Sequence, residues 1–225
     1  MADGACGSIA GIQRPASAPW LMPSNPVEEH WESLYASKQA SQLSWHQDES
    51  GVSLEFVEKF ATASADIVDV GGGDSSLAPS LVARGYHLSV LDVSAKALER
   101  AKVRSGVAAS QIRWIVGDLT RIESLGNFDV WHDRAVFHFL NEAPDRARYA
   151  ALLRASLRPD GHAVIATFAP DGPTHCSGLR VQRYDAQGIA AALGGAFRIL
   201  HEERNTHTTP WGAEQSFQSV VIQRR

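Results

Sequence analysis

The stretch Ile67-Val68-Asp69-Val70-Gly71-Gly72-Gly73-Asp74-Ser75-Ser76-Leu77-Ala78-Pro79-Ser80-Leu81 decides the fold. Its first half is a short apolar run rich in β-branched residues, suited to a strand buried on both faces. Its second half changes to helical spacing, with Leu77 and Leu81 on one face. Three successive glycines occupy the junction, where the backbone must turn sharply and let something approach closely. A strand that ends in a glycine turn opening a helix is expected to place free backbone N–H groups at one spot. The stretch therefore marks a nucleotide-type cofactor site.

A dinucleotide fingerprint, G-x-G-x-x-G, would put its third glycine at position 76, where Ser76 stands instead. Asp69, ahead of Gly71, suits a different ligand, one that carries cationic ammonium and sulfonium centres. Here the sequence resembles the class I S-adenosylmethionine-dependent methyltransferases, whose first motif reads close to D-x-G-x-G. A nicotinamide oxidoreductase is the least favoured reading of the turn.

Working outward, 225 residues suit one α/β domain with extra elements rather than two domains. Apolar residues make up 44% and charged residues 20%, ordinary for a globular protein, and the net charge of −4 gives no basic footprint for nucleic acid. No apolar run approaches the length that spans a bilayer. Met1 to Ser8 contains Asp3 and no basic segment, which argues against a secretory signal, so the expected location is cytoplasmic. Cys6 and Cys176 cannot build a disulfide framework. Residues 1–26, rich in Ala, Gly, Ser and Pro, read as a disordered or loosely packed tail. Residues 27–225 read as a single domain, with a helical cap over 27–62 and an α/β core over 63–225. A monomer or small homo-oligomer is expected.

In the cap, Val27, Trp31, Leu34 and Tyr35 form one helical stripe, and a second helix spans Val52 to Phe60. After the glycine turn, helix Ser75 to Arg84 stops at Gly85, and strand His87 to Asp92 ends in an acid. Ser94 caps a helix to about Arg104, followed by strand Ile112 to Val116 and Gly117-Asp118-Leu119. Strand Phe128 to Asp133 leads into Arg134 and a helix over Pro144 to Leu157. Arg158-Pro159-Asp160-Gly161 reads as a turn before strand His162 to Phe168. A long loop, Ala169 to Arg183, precedes a helix over Asp185 to Leu193. Strands Phe197 to His201 and Phe217 to Gln223 close the chain. This alternation predicts a Rossmann-like, seven-stranded, mostly parallel sheet with helices on both faces, and an antiparallel last strand.

Ligands bind open α/β sheets at the carboxyl ends of the strands. Three such ends carry acids in register: Asp69-x-Gly71-x-Gly73, Asp92, and Gly117-Asp118-Leu119. Resemblance to the methyltransferases implies that Asp92 holds the ribose hydroxyls. It also implies that Asp118 accepts from the adenine amino group, and that Val93 and Leu119 sandwich the ring. Two further segments resemble a bacterial subgroup of the family. One is His30-Trp31-Glu32-x-x-Tyr35-x-x-Lys38 with Ser44-Trp45-His46-Gln47; the other is Trp131 to Leu140. The subgroup is similar to thiopurine-type methyltransferases and to protein-lysine methyltransferases acting on elongation factor or citrate synthase. The resemblance implies S-adenosylmethionine as cofactor and S-adenosylhomocysteine as product.

Methyl transfer from a sulfonium is an in-line displacement, so the protein mainly aligns the reactants and excludes water. A base is needed only where the nucleophile must lose a proton. Asp133 and Arg134 are the expected catalytic pair, Asp133 orienting or deprotonating an amine and Arg134 binding a carboxylate; an ion pair bracing a loop is the bland alternative. Tyr35 and Trp45 are expected to cover the cofactor, with Asp69, Gly71, Gly72, Gly73 and His132 among its contacts. His132, His138, His162, His175 and Cys176 match no zinc spacing, and no metal is expected. The loop Ala169 to Arg183 and the stretch His207 to Gly212 are the expected variable walls. The expected reaction is methyl transfer to sulfur or nitrogen of a small molecule. A lysine on a partner protein is the second reading, and a non-catalytic S-adenosylmethionine-binding protein the third.

Overall fold

The computed structural model describes residues 25–48 and 51–225. The expectations for Met1 to Ser8, for Cys6 and for most of the tail fall outside these residues. The chain runs α1 (Pro26–Ser37), α2 (Gly51–Phe60), β1 (Asp66–Val70), α3 (Leu77–Ala83), β2 (His87–Asp92), α4 (Ala95–Ser105) and β3 (Ile112–Val116). It continues with β4 (Phe128–Arg134), α5 (Ala143–Ser156), β5 (Leu157–Phe168), β6 (His175–Cys176), β7 (Leu179–Arg180), α6 (Ala186–Leu193), β8 (Phe197–Thr208) and β9 (Glu214–Arg224).

Seven strands form one sheet in the order β3-β2-β1-β4-β5-β9-β8. Strands β1 to β5 pair in parallel, and β9 lies antiparallel between β5 and β8. The order reverses between β1 and β4, the switch point at which an open sheet leaves a crevice beyond its strand ends. Both faces are covered, which is why β1 is apolar at Ile67, Val68 and Val70, on both its faces. On one face Val68, Val70 and Trp131 pack with Tyr149 and Leu153 of α5 and Ile189 of α6. On the other, Ile67, Val90 and Val130 pack with Val57 of α2, Leu81 of α3 and Leu98 of α4. No helix among the described residues is long and apolar enough to cross a membrane.

Several expected boundaries move. Helix α3 begins at Leu77 rather than Ser75, because Ser75 closes a turn onto the Gly72 carbonyl and its hydroxyl accepts the Leu77 N–H at 3.0 Å. The turn expected over Arg158 to Gly161 lies inside β5 as an irregularity, where pairing jumps from Phe128↔Leu157 to Val130↔His162. Strand β8 runs on to Thr208, so most of the wall expected at His207 to Gly212 is a tight hairpin end. Its polar run Glu202-Glu203-Arg204-Asn205 lies on an edge strand, where one side of the ladder faces solvent. The loop Ala169 to Arg183 contains the small β6–β7 hairpin.

Gly71 has φ +63°, and a Cβ there would lie 2.0 Å from Val136 Cγ2. Gly71→Ala is therefore expected to lose about 3 kcal/mol of stability, combining left-handed strain of about 1–2 kcal/mol with overpacking of about 1–3 kcal/mol. Urea unfolding checks this. Val136→Ala in the same chain should recover the steric part and leave the strain, and an unshifted midpoint in Gly71→Ala would contradict the crowding.

Candidate active site

The crevice at the switch point is a cavity of about 780 Å³ including its mouth. One side is formed by strand ends: Gly71 after β1, Asp92 at the end of β2 and Val93 after it, and Gly117, Asp118 and Leu119 after β3. The expected strand-end residues are thus brought together. Asp92 is 6% exposed; its Oδ2 accepts the Gly73 N–H at 2.9 Å and its Oδ1 the Ser94 N–H at 2.8 Å. Burial pushes its carboxyl up to about 7, against the pull of those two donors.

The glycine turn corrects one expectation. Its N–H groups are not free: Gly71 and Gly72 both donate to the Leu91 carbonyl, at 2.7 and 3.2 Å, and Gly73 donates to Asp92. The turn is stitched to the end of β2. What the glycines supply is room, since a Cβ on Gly73 would meet the Tyr35 hydroxyl at 2.5 Å and one on Gly72 would meet Asp69 Oδ2 at 2.6 Å. A turn whose glycine N–H groups are already engaged is poor for pyrophosphate and open to a ligand read by carboxylates.

Strand alternation then sorts the residues of β4. Successive side chains point to opposite faces, so His132 and Arg134 share one face while Trp131 and Asp133 share the other. His132 Nδ1 lies 2.7 Å from Asp69 Oδ1, and its Nε2 lies 2.9 Å from Ser53 Oγ on α2. All three residues are buried, and they border a smaller recess behind the glycine turn. Asp133 was expected to face the acceptor. It is instead 0% exposed and turned toward α5, where Oδ2 accepts the Tyr149 hydroxyl at 2.7 Å. The Val136 N–H reaches its Oδ1 at 2.9 Å, and the Phe137 N–H its Oδ2 at 3.1 Å. Burial raises its carboxyl to about 6. The Asp133–Arg134 ion pair does not form.

Arg134 does reach the cavity and also borders the recess. Its Nη1 donates to the Trp45 carbonyl at 3.1 Å, and its guanidinium lies 5.0 Å from the Phe217 ring centre. Burial lowers its pKa to about 10, which leaves it charged at neutral pH.

The cap supplies the opposite wall. Trp31 packs edge-on against Trp45 and Phe139 with ring centres 5.7 and 5.2 Å apart, and Tyr35 meets Trp45 at 6.2 Å. Burial, with Asp92 nearby, pushes the Tyr35 hydroxyl far up and keeps it neutral. Asn25, which caps α1 by accepting the Val27 N–H at 3.2 Å, also donates to Asp118 Oδ2 at 2.9 Å. Asp118 Oδ1 is held by Thr120, through N–H at 2.8 Å and hydroxyl at 2.7 Å. Asp118 therefore stands in the cavity wall with both oxygens already engaged.

Residues not anticipated as contacts are Asn25, Ser53 and Val136; Phe139 was expected in the aromatic surface and lines the cavity. Asn25 carried a signal, an Asn directly before Pro26, the pattern of an N-cap followed by proline at the first helical position. Ser53 carried none, because its partner lies on a strand far along the chain.

The family model for the methyltransferase domain matches residues 67–161, from β1 to the start of β5. The fold is that of the class I methyltransferases. A ubiquinone biosynthesis O-methyltransferase of Marinobacter nauticus is 28% identical over 115 residues, which are 49% of this chain and 47% of the relative. The chain thus matches about half the length of that relative. The fold of this chain is shared with an S-adenosylmethionine-dependent methyltransferase of Anabaena variabilis (TM-score 0.71, 17% identity, 90% of this chain and 97% of the other). It is also shared with the 1,6-didemethyltoxoflavin N1-methyltransferase of Burkholderia thailandensis, crystallised with 1,6-didemethyltoxoflavin and S-adenosylhomocysteine (TM-score 0.67, 17% identity, 96% and 94% covered).

Proposed function

We propose that this chain transfers the methyl group of S-adenosylmethionine to a sulfur or nitrogen atom of a small-molecule acceptor. The observation that carries the reading is the junction inside the cavity. The buried carboxylate of Asp92 lies at the strand ends, and the aromatic wall of Trp31, Trp45 and Phe139 stands across from it. A small planar acceptor suits such a wall better than a flexible lysine of a partner protein. The likeness of fold to an N1-methyltransferase crystallised with 1,6-didemethyltoxoflavin supports the same choice.

The residues present fit the cofactor. Asp92 would accept the ribose hydroxyls, and Val93 and Leu119 would flank the adenine beside Asp118. The recess bordered by Asp69, Gly71 and Gly72 would take the amino-acid end, with Asp69 held by His132 and Ser53. Tyr35 and Trp45 would cover it. Bound there, S-adenosylmethionine supplies a methyl group already activated by its sulfonium. The protein's share is alignment and exclusion of water by the aromatic cap. Among the described cavity-lining residues none is a free general base: Asp92 and Asp118 are engaged, and Tyr35 is held neutral. An acceptor with an available lone pair, such as an amine or a thiolate, needs none. Residues 27–62 then act as a cap on one domain whose core is 63–225.

Calorimetric titration with S-adenosylmethionine, S-adenosylhomocysteine and NAD tests the reading. Micromolar binding of the first two and none of NAD is expected. Binding of NAD alone would overturn it.

A further inference from the structure

Four arginines at the surface, Arg84, Arg104, Arg158 and Arg204, each pair with a carboxylate. Arg134, which borders the cavity, pairs with none among the described residues. Its named contacts are neutral: the Trp45 carbonyl at 3.1 Å and the face of Phe217 at 5.0 Å. Three ionisable groups beside it are neutral as well, and Asp69, which borders the same recess, is held by His132. Burial raises the Cys176 thiol, drops His138 to about 3 and lowers His207, whose Nε2 is spent on the Ser44 carbonyl at 2.7 Å. A guanidinium drawn out of water without a counter-anion costs several kcal/mol. Its planar fork suits a carboxylate in a two-bond arrangement.

We propose that Arg134 selects the acceptor by its charge: the substrate is a planar organic acid whose carboxylate docks on this guanidinium. This rests on the methyltransferase reading and deepens it. Three features support the acceptor as the source of the anion. Arg134 reaches beyond the recess into the cavity, which Ala135, Phe139 and Cys176 also line. The aromatic rings of Trp31, Trp45 and Phe139 give the ring of such an acid a surface to stack on. The donor that shares the cavity is a cation, so an anionic acceptor offsets two positive charges at once.

The test uses matched pairs of planar acids and their amides, benzoate with benzamide, salicylate with salicylamide and anthranilate with anthranilamide. Each is titrated into the full chain saturated with S-adenosylhomocysteine. At least one acid should bind the wild type tenfold or more tightly than its amide, and Arg134→Met should abolish that preference. Arg134→Lys, which keeps the charge and loses the fork, should keep part of it. If no acid is preferred over its amide, or the preference survives in Arg134→Met, the proposal is overturned. It is equally overturned if Arg134→Met weakens S-adenosylhomocysteine tenfold while leaving 5′-methylthioadenosine unchanged, for the anion would then be the cofactor's own carboxylate. Should Arg134→Met fail to fold, Arg134→Gln carries the same comparison. A wild type that does not bind S-adenosylhomocysteine at all would sink the methyltransferase reading itself, a separate result.

Discussion

Asp92→Ala is expected to weaken binding of 5′-methylthioadenosine roughly a hundredfold while the protein stays folded. The carboxylate borders the cavity and is held in place by the Gly73 and Ser94 N–H groups, at 2.9 and 2.8 Å. Two ribose hydroxyls donating to it would each contribute about 1.5 kcal/mol or more, as hydrogen bonds to charged groups do. Their joint loss, about 3 kcal/mol, is about two powers of ten in affinity. The pH dependence has a definite sign. Hydroxyl donors favour the ionised carboxyl, and burial holds that carboxyl near 7 in the free protein. Affinity should therefore rise as pH rises to about 7 and level off above it, and Asp92→Ala should lose this dependence. The probe has no amino-acid end, so no titration of its own enters near neutrality. For the ligand-free fold the sign is opposite. A carboxyl whose folded pKa lies above its unfolded value is favoured while protonated, so its contribution to stability is lost as pH rises from about 4 to about 7. Isothermal titration at several pH values decides the matter; an affinity flat in pH and untouched by the substitution would remove Asp92 from the ribose.

Strand ends were legible in the sequence because they obey two local rules. Buried parallel strands such as Ile67 to Val70 and His87 to Asp92 are short apolar runs, and acids and glycines at their ends stand out against them. The aromatic cap was legible from the stripe through Trp31 and Tyr35. What was not legible depends on long-range pairing. Strand β8 was cut short because Glu202 to Thr206 carries no apolar signal on an edge strand. Asp133 was placed at the chemistry because it ends a strand beside Arg134, as the other acids end theirs. The period of two already separates Asp133 from His132 and Arg134. Which of the two sets faces α5, however, follows only from the core packed around Trp131 and Tyr149. Asn25 was passed over because its partner, Asp118, is on a distant strand end.

Asp133→Ala is expected to cost about 4 kcal/mol of stability, a large part of what holds a domain together. The carboxylate, wholly buried, collects the Tyr149 hydroxyl and the N–H groups of Val136 and Phe137. Removing it leaves these donors without an acceptor in a site closed to water, at about 1–3 kcal/mol each before relaxation. For a chain of this size that is a fall of roughly 10 °C in Tm. Asp133→Asn should cost less, since its carbonyl still serves one side of the turn. Tyr149→Phe alone should cost about 1–2 kcal/mol by the same reasoning. The double variant should be more stable than the sum of the two losses predicts, because each single change already breaks the shared bond. Thermal unfolding of the four proteins supplies this cycle. A base acting on the acceptor would behave otherwise, leaving Tm in place while turnover collapsed. Strand alternation and the three donors argue for the brace: a carboxylate already given to a hydroxyl and two N–H groups of its own chain has no open side from which to take a substrate's proton.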